Sequence, residues 1–257
     1  MENNYECITI IEDDEPQETN KNNDGDKMIL KKINSSVLKK WYIEDKDIYE
    51  IGVDEVGRGP LFGRVYTAAV ILPKDDNFNY LLMKDSKRFH SKKKIVEVAN
   101  YIKEKAIAWT ISYEDEKCID EINILQATQK AMHDAIKNII QKKNGNNDES
   151  LKFQLLIDGN YFHPFKFISN NKCDYIPHVC IEGGDNKYCS IAAASILAKV
   201  ARDEYIDNLV VKNPDLSEKY GIDSNKGYGA KKHMDGIKMY GITQWHRKTF
   251  GICKNFG

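Results

Sequence analysis

Short apolar runs separated by polar turns recur from residue 49 onward, and these runs predict β-strands. Two runs rich in β-branched residues flank a glycine-rich stretch, a combination typical of a β-hairpin; they are YEIGVDEV and RVYTAAVILP. Three further runs predict strands, and the unbroken apolar core of the second is typical of a buried strand; they are AIAWTISY, FQLLIDGN and YIPHVCIEGGD.

Other segments have apolar residues at the spacing of helices. The first spans residues 92–105. The second spans 124–142 and has one apolar face, formed by Leu125, Met132, Ile136 and Ile139. A third, over 188–209, has a face of small residues that lets a helix pack close to a sheet, namely Ala192, Ala194, Ser195, Ala198 and Ala201.

Strands interspersed with helices predict an α/β fold with a mixed central β-sheet flanked by helices. Residues 1–48 are predicted to form an acidic, largely disordered extension, in which the amphipathic stretch 29–47 indicates an extra helix or a strap. Residues 49–212 form the main domain, with a polar loop at 142–150. Residues 213–257 form a basic, helical C-terminal extension that packs on this domain.

The net charge of −1 conceals an uneven distribution. Residues 1–50 carry 13 acidic residues and seven lysines, whereas the rest of the chain has 31 basic and 26 acidic residues. Residues 225–257 alone carry seven basic residues and one acidic residue. Such a concentration of positive charge is typical of phosphate binding, although a solvated lysine-rich surface has the same composition.

Two classes of protein receive no support from the sequence. A membrane span needs about 18 consecutive apolar residues, which the chain lacks, and the acidic N-terminus does not resemble a secretory signal. The six cysteines are scattered without a Cys-x-x-Cys pair, which argues against a zinc site or a disulfide framework. A cytoplasmic or other reducing intracellular location is therefore expected.

Acidic residues stand where three predicted strands end. Asp54 and Glu55 lie in IGVDEVGRG, Asp158 ends LLID, and Asp185 follows IEGG just before the third helix. A carboxylate in an apolar strand is costly unless it is paired or binds a metal. Aspartates at strand ends also serve as turn formers or helix N-caps, so each position alone has this ordinary interpretation.

The neighbouring acids Asp54 and Glu55 raise a geometric question. Adjacent residues of a regular strand point to opposite faces of the sheet. If both are to reach one site, Glu55 is expected to lie where the strand bends, next to Gly57. Oxygen ligands of this kind suit Mg²⁺ or Mn²⁺, and two such ions can promote hydrolysis of a phosphodiester without a nucleophilic side chain.

Several motifs, in order over residues 49–250, closely resemble the ribonuclease HII family. They are IGVDEVGRGPLFG, DSK, IDGN, GGDNKYCSIAAASILAKVARDEY, NKGYGAKKH and YGITQWHRKTF. The resemblance implies an RNase H-like fold with a C-terminal helical extension. It also implies Mn²⁺- or Mg²⁺-dependent hydrolysis of the RNA strand of RNA–DNA hybrids, with cleavage 5′ of ribonucleotides embedded in duplex DNA and 5′-phosphate and 3′-hydroxyl ends.

The resemblance assigns roles to particular residues. The family's four acidic ligands of a two-ion site match Asp54, Glu55, Asp158 and Asp185, which are therefore the expected catalytic residues. The expected substrate-binding residues are Gly57, Arg58, Gly59, Lys87, Asn160 and Tyr228. In the family the GRG triplet reads a ribose 2′-hydroxyl, largely through backbone groups, and the tyrosine senses the RNA–DNA junction; a packing role is the alternative for Tyr228.

Further basic residues are candidate phosphate contacts, with solvated surface charge as the alternative; they are Lys199, Arg202, Lys226, Lys231, Lys232, Arg247 and Lys248. His233 and His246 are expected to be structural rather than catalytic, and Asp203 to form an ion pair or hydrogen bond. No obligate protein subunit is expected, so the chain is predicted to act as a monomer. Ribonuclease HIII, a DNA resolvase and a non-catalytic hybrid-binding module are the competing interpretations.

Overall fold

The predicted hairpin opens the fold, and the strands that follow extend it on both sides. The structure is a computed structural model that describes residues 37–143, 151–169 and 172–256. The predicted acidic tail, the first part of the amphipathic stretch and most of the polar loop at 142–150 lie outside the described residues.

Five strands form a mixed sheet in the order β3-β2-β1-β4-β7. Their bounds are Ile48–Val56 (β1), Val65–Ile71 (β2), Ala108–Glu114 (β3), Lys152–Asp158 (β4) and His178–Ile181 (β7). β1 and β3 pair antiparallel with β2, while β4 pairs parallel with both β1 and β7. All five strands were predicted, and the mixed sheet confirms the expected α/β class. The small hairpin of β5 (Lys166–Ser169) and β6 (Lys172–Tyr175) was not predicted.

The described residues contain six α-helices. They are Lys92–Lys105 (α1), Glu116–Lys143 (α2), Cys189–Lys212 (α3), Asp215–Tyr220 (α4), Ile222–Asn225 (α5) and Lys231–Tyr240 (α6). α2 begins eight residues earlier than predicted, because Asn123 interrupts the helix with a φ of 67°. The side chain of Asn123 accepts hydrogen bonds from the backbone N–H groups of Leu125 and Gln126, so the predicted segment begins at this internal cap.

Each face of the sheet packs against one long helix. Four of the five small residues of α3 are buried and Ala201 is partly buried, and the helix lies so close to β1 that a Cβ on Gly52 would collide with the backbone of Ser190. The apolar face of α2 covers the other side of the sheet with residues such as Met132, Ile136 and Ile139. The strand end of β1 therefore lies between two rigid helices.

The C-terminal helices and the loop after β1 share a core of their own. Phe62, between β1 and β2, is fully buried with Ile206 of α3, Tyr220 of α4 and Ile237 of α6. Residues from Leu38 onward belong to one compact unit. In the part of the chain that the structure describes, no helix combines the length and apolar character needed to cross a membrane.

Residues 38–47 form a strap rather than a helix, which settles that alternative for the described part of the amphipathic stretch. The carbonyl of Lys39 accepts a hydrogen bond from the backbone N–H of Cys189, the first residue of α3. Buried Glu50 accepts hydrogen bonds from the backbone of Tyr42 and Ile43 and pairs with Lys74. These contacts hold the strap against the beginning of α3.

Candidate active site

Asp54 and Glu55 lie near the end of β1, and their side chains are on opposite faces of the sheet. β1 continues to Val56, and Glu55 pairs in regular register with Thr67, so the expected bend at Glu55 is wrong. The Asp54 carboxyl lies against the hydroxyl of Ser195 on α3. The side chain of Glu55 lines a cavity on the opposite side, together with Met132 of α2. The regular alternation of a strand therefore places the two acids on either side of the sheet.

Asp158 and Asp185 complete the acidic cluster. Asp158 ends β4, the parallel neighbour of β1, and the register of Val53 with Ile157 places Asp158 beside Asp54. Asp185 lies in the 3₁₀ turn Gly184–Asn186 that follows β7. The Oδ1 atom of Asp158 accepts a hydrogen bond from the backbone N–H of Gly184 at 2.6 Å, which ties the two acidic positions together.

Burial and mutual repulsion raise the pKa values of three of these carboxyls. Desolvation is the largest cause in each case. For Asp54, only 4% exposed, the charges of Glu55 and Asp158 raise the pKa further above its usual range. The pKa of Glu55 rises to about 7 despite the opposing charge of Arg58. The pKa of Asp185 is also raised, by burial and then by the charge of Asp158. The cluster therefore carries poorly compensated negative charge.

Two cations lie close to the cluster, Arg58 half exposed and Lys87 largely exposed. Nη1 of Arg58 is 3.4 Å from Oε1 of Glu55, and Nζ of Lys87 is 3.9 Å from Oδ2 of Asp185. The side chain of Lys87 is 82% exposed, so its ammonium group remains accessible to a phosphate. The side chain of Asn186 bridges Asp185 and Asp85 with hydrogen bonds of 3.1 and 3.2 Å.

The chemistry of the four acids suits hard divalent cations. Every donor is a carboxylate oxygen, and magnesium and manganese prefer such ligands. Among the described residues, no group of three or more His, Cys, Asp or Glu side chains is already drawn together as a metal-ligand set. The acids instead approach one another from both sides of the sheet edge, and the raised pKa values of Asp54, Glu55 and Asp185 reflect a negative charge that a bound cation would neutralise.

The loop after β1 is held from behind by two buried arginines. Arg247 donates hydrogen bonds to the carbonyls of Gly57, Arg58, Pro60 and Gly63, at 2.6 to 2.9 Å. Arg202 donates to the carbonyls of Phe62, Arg64 and Lys226. Because neither side chain is exposed, the prediction that these two arginines contact phosphate is wrong.

Gly57 shows how closely the loop and Arg202 pack. Its φ is +99°, and a Cβ at this position would collide with the guanidinium of Arg202. The carbonyls of Gly57 and Arg58 point towards Arg247, whereas the side chain of Arg58 is half exposed beside Glu55.

Tyr228 lies next to the same loop on its exposed side. An added Cβ on Gly59 would lie 3.7 Å from Cε1 of Tyr228, and the tyrosine is 48% exposed. Asn160 lines the cavity of about 220 Å³ that also contains Glu55, Arg58 and Asp158. The structure therefore places Arg58, Lys87 and Asn160 beside the acidic cluster, and Tyr228 against Gly59 in the loop that follows Glu55.

Sequence reasoning missed several residues that support the site. Ser195 was assigned only to the small face of a helix, yet its hydroxyl contacts Asp54 and lies 3.0 Å from the hydroxyl of Ser86. Gln129 of α2 holds the segment after Asp158 through hydrogen bonds with the backbone of Tyr161 and His163.

Two of the remaining predicted phosphate contacts form ion pairs within the protein. Lys199 pairs with Asp203, as expected for that aspartate, and Lys226 pairs with Asp207.

Comparison with known proteins gives a consistent result. The family model for ribonuclease HII matches residues 51–253. The ribonuclease HII of Bacteroides thetaiotaomicron is 43% identical over 208 residues, which cover 81% of this chain and 92% of the relative.

Solved structures share the fold at lower sequence identity. The ribonuclease H2 of Pyrococcus horikoshii superposes with a TM-score of 0.59 and 21% identity, covering 81% of this chain and 96% of that chain. A Bst ribonuclease HIII in complex with Mn²⁺ superposes with a TM-score of 0.55 and 16% identity, covering 75% and 70% respectively. These similarities confirm the RNase H-like fold with its helical C-terminal part.

Proposed function

The chain belongs to the ribonuclease HII family and is an endonuclease that hydrolyses the RNA strand of RNA–DNA hybrids, and we propose that Asp54, Glu55, Asp158 and Asp185 are its catalytic residues. One observation carries this assignment. Carboxylates from the ends of two adjacent parallel strands and from the turn after a third strand lie so close together that the charge of Asp158 raises the pKa values of Asp54, Glu55 and Asp185.

The family depends on divalent metal ions, and Mn²⁺ or Mg²⁺ is the proposed cofactor here. Asp54, Glu55 and Asp158 are the proposed core ligands, and Asp185 completes the site from its turn. Two such cations held by these residues would supply activation of the attacking water and stabilisation of the leaving oxygen of the phosphodiester. The resulting products carry 5′-phosphate and 3′-hydroxyl ends.

The chain's own residues position the substrate. Lys87, exposed beside Asp185, supplies a positive charge for a backbone phosphate. Arg247 holds the carbonyls of Gly57 and Arg58, so the loop is rigid when it meets a ribose. A 2′-hydroxyl distinguishes RNA from DNA, and a preorganised backbone recognises it at low entropic cost.

Tyr228 is the proposed sensor of the RNA–DNA junction. Its ring stands against Gly59 and is half exposed, so a sugar at the loop can contact both. The flat ring packs well on a deoxyribose, which has no 2′-hydroxyl to be left without a partner. With Asn160 at the cavity beside Asp158, this arrangement supports cleavage 5′ of a single ribonucleotide in duplex DNA.

The proposed partners are nucleic acids alone, namely RNA–DNA hybrids and DNA duplexes with embedded ribonucleotides. The C-terminal helices are built into the same compact unit as the acidic cluster, which supports a 213–257 extension packed on a 49–212 catalytic domain. No residue from a second chain is needed to supply the four acids, so we propose that a monomer is active.

A cleavage map tests the proposal. Purified protein is incubated with end-labelled RNA–DNA hybrid and with a DNA duplex that contains one ribonucleotide, with Mn²⁺, with Mg²⁺ and with chelator. We expect metal-dependent cleavage of both substrates and its loss in Asp54→Asn, which keeps the shape of the side chain. Binding without cleavage would indicate a hybrid-binding module, and failure on the single ribonucleotide alone would indicate a ribonuclease HIII type of activity.

Two substitutions test the junction sensor. Tyr228→Ala should lower cleavage at a single ribonucleotide more than cleavage of a uniform hybrid, whereas Tyr228→Phe should retain the wild-type ratio because the ring remains. An unchanged ratio in Tyr228→Ala would remove this tyrosine from junction recognition while leaving the four acids in place.

A further inference from the structure

Two buried histidines form a chain of hydrogen bonds that ends at Tyr228. The backbone N–H of Thr243 donates to Nδ1 of His246 at 2.9 Å, and the hydroxyl of Thr243 is also 2.9 Å from this nitrogen. Nε2 of His246 is 3.1 Å from Nε2 of His233, and Nδ1 of His233 is 2.8 Å from the carbonyl oxygen of Tyr228. Neither histidine is more than 1% exposed.

The two ends of this chain fix the position of every proton. A backbone N–H only donates, so Nδ1 of His246 must accept, and the proton of a neutral His246 ring is on Nε2. That N–H donates to Nε2 of His233, which must therefore be the accepting nitrogen. The remaining proton of His233 is on Nδ1 and donates to the carbonyl of Tyr228, which only accepts.

Only the doubly neutral state fits this arrangement. A proton added to His233 would place two N–H groups against each other at the 3.1 Å contact, and a proton added to His246 would go to Nδ1 and face the backbone N–H of Thr243. Burial lowers the pKa of His246 to about 3, with a further contribution from His233, and burial also lowers the pKa of His233. The hydrogen-bond chain is therefore complete at neutral pH, and every donor in it points from Thr243 towards the carbonyl of Tyr228.

Arg247, the residue after His246, holds the loop that Tyr228 contacts. Arg247 donates to the carbonyls of the loop that contains Gly59, and Tyr228 stands against Gly59. The backbone N–H of Arg247 also donates to the carbonyl of Leu61, whose own N–H donates to the carbonyl of Gly227. His246 and Arg247, which are consecutive in the C-terminal extension, thus fix Tyr228 and the loop that it faces.

We propose that His246 and His233 are positioning residues for junction recognition, and that their single-tautomer relay sets Tyr228 at a fixed distance from the Gly57–Gly59 loop. This inference rests on the proposed role of Tyr228. Neither histidine touches the four acids in the described contacts, so the relay acts on substrate selection and leaves the hydrolytic step unchanged.

The tautomers are tested directly on the wild-type protein, without any assay of activity. Long-range ¹H–¹⁵N correlation spectra of the full chain at pH 7.5 distinguish protonation of Nδ1 from protonation of Nε2. We expect neutral His246 with its proton on Nε2 and neutral His233 with its proton on Nδ1. The opposite tautomer at either ring, or a charged ring, would overturn the relay whatever Tyr228 does.

Matched substitutions at His246 test the effect on selection. His246→Gln keeps an N–H donor towards His233, whereas His246→Leu fills similar space without one. We expect the leucine variant to lower the ratio of single-ribonucleotide to uniform-hybrid cleavage by roughly 10- to 100-fold, since small misplacements of positioning groups cost this much. The glutamine variant should stay close to the wild-type ratio, and kcat on the uniform hybrid should be unchanged in both.

The outcomes separate the relay from the function on which it rests. Equal ratios in wild type, His246→Gln and His246→Leu would overturn the positioning role. If Tyr228→Ala does not alter the ratio but His246→Leu does, the proposed sensor is wrong and the relay positions another group. If His246→Leu fails to fold, His246→Met takes its place, because methionine also has no N–H donor and fills a buried site flexibly; a wild-type ratio in that variant would overturn the positioning role.

Discussion

Asp158 accepts the backbone N–H of Gly184 at 2.6 Å, and this one hydrogen bond joins the end of β4 to the turn that carries Asp185. Gly184 is buried, and a Cβ there would lie 3.3 Å from Oδ1 of Asp158 and 2.5 Å from Cδ1 of Ile191. The carboxylate of Asp158 therefore has a structural task as well as its proposed role as a metal ligand.

Asp158→Asn should separate these two tasks. The amide oxygen of asparagine can still accept the N–H of Gly184, so thermal unfolding should stay near that of the wild type. The missing charge should lower the rate of hybrid cleavage by about 100-fold or more, because a metal ligand contributes several kcal/mol and each 1.36 kcal/mol is a factor of ten.

Asp158→Ala is the matched control, since it removes both the charge and the acceptor. It should unfold at a lower temperature than Asp158→Asn, because the N–H of Gly184 is then left without its partner. Activity near the wild-type level in the asparagine variant would contradict the assignment of Asp158 as a ligand.

Binding of Mn²⁺ should weaken as the pH falls through about 7. The pKa of Glu55 is raised to about 7 by burial, so below that pH the metal-free protein holds a proton on a proposed ligand. Metal binding must displace this proton, and the apparent affinity then falls with decreasing pH. Calorimetry in two buffers of different ionisation enthalpy should show more protons released at pH 6 than at pH 8.

Glu55→Gln supplies the control for this titration, because glutamine has no proton to release in that range. The extra release at pH 6 should be smaller in the variant than in the wild type. Equal release in both proteins would assign the titration to other groups. The same raised pKa predicts that the metal-free fold loses stability as the pH rises through about 7, since the folded form then must hold a buried charge.

The salt dependence of hybrid binding should distinguish surface lysines from buried arginines. Lys87 is 82% exposed beside Asp185, so Lys87→Ala should reduce the slope of log K against log salt by about 1. Arg247→Lys should leave this slope unchanged and instead lower the melting temperature, because several carbonyls of the loop after β1 lose their donors. A reduced slope in Arg247→Lys would restore its predicted phosphate contact.

The sequence was sufficient for the central sheet because burial is encoded locally there. An unbroken apolar run such as FQLLIDGN forms a strand wherever the core lies, and the residues at its end are then brought to the sheet edge. The small hairpin of β5 and β6 has no such run, and the first turns of α2 are hidden by the break at Asn123.

The site could be predicted less completely than the sheet. The resemblance pointed to the four acids, whose catalytic role stays a prediction, but the expected bend at Glu55 was wrong because β1 keeps its regular register there and places Asp54 and Glu55 on opposite faces of the sheet. The positions of Arg202 and Arg247 depend on backbone carbonyls that are more than 130 residues away in the chain. A charge pattern does not reveal such long-range acceptors, so these arginines looked like surface bases.

The close packing of α3 on β1 should make Gly52 intolerant of any side chain. A Cβ at this position would overlap the backbone of Ser190, which cannot move without displacing the helix that carries Ser195 and follows Asp185. Overpacking in a core costs about 1–3 kcal/mol when side chains can adjust, and a collision with backbone lies at or above the upper end. Gly52→Ala should therefore lower the melting temperature by several degrees and also lower activity. Gly229→Ala is the control, because its new Cβ would meet Leu61 and Met234 at an ordinary 3.7 Å. This variant should leave both the melting temperature and the activity nearly unchanged. Differential scanning calorimetry and hybrid cleavage measured on the same preparations check this, and equal melting temperatures for the two variants would show that the helix can move away from the strand.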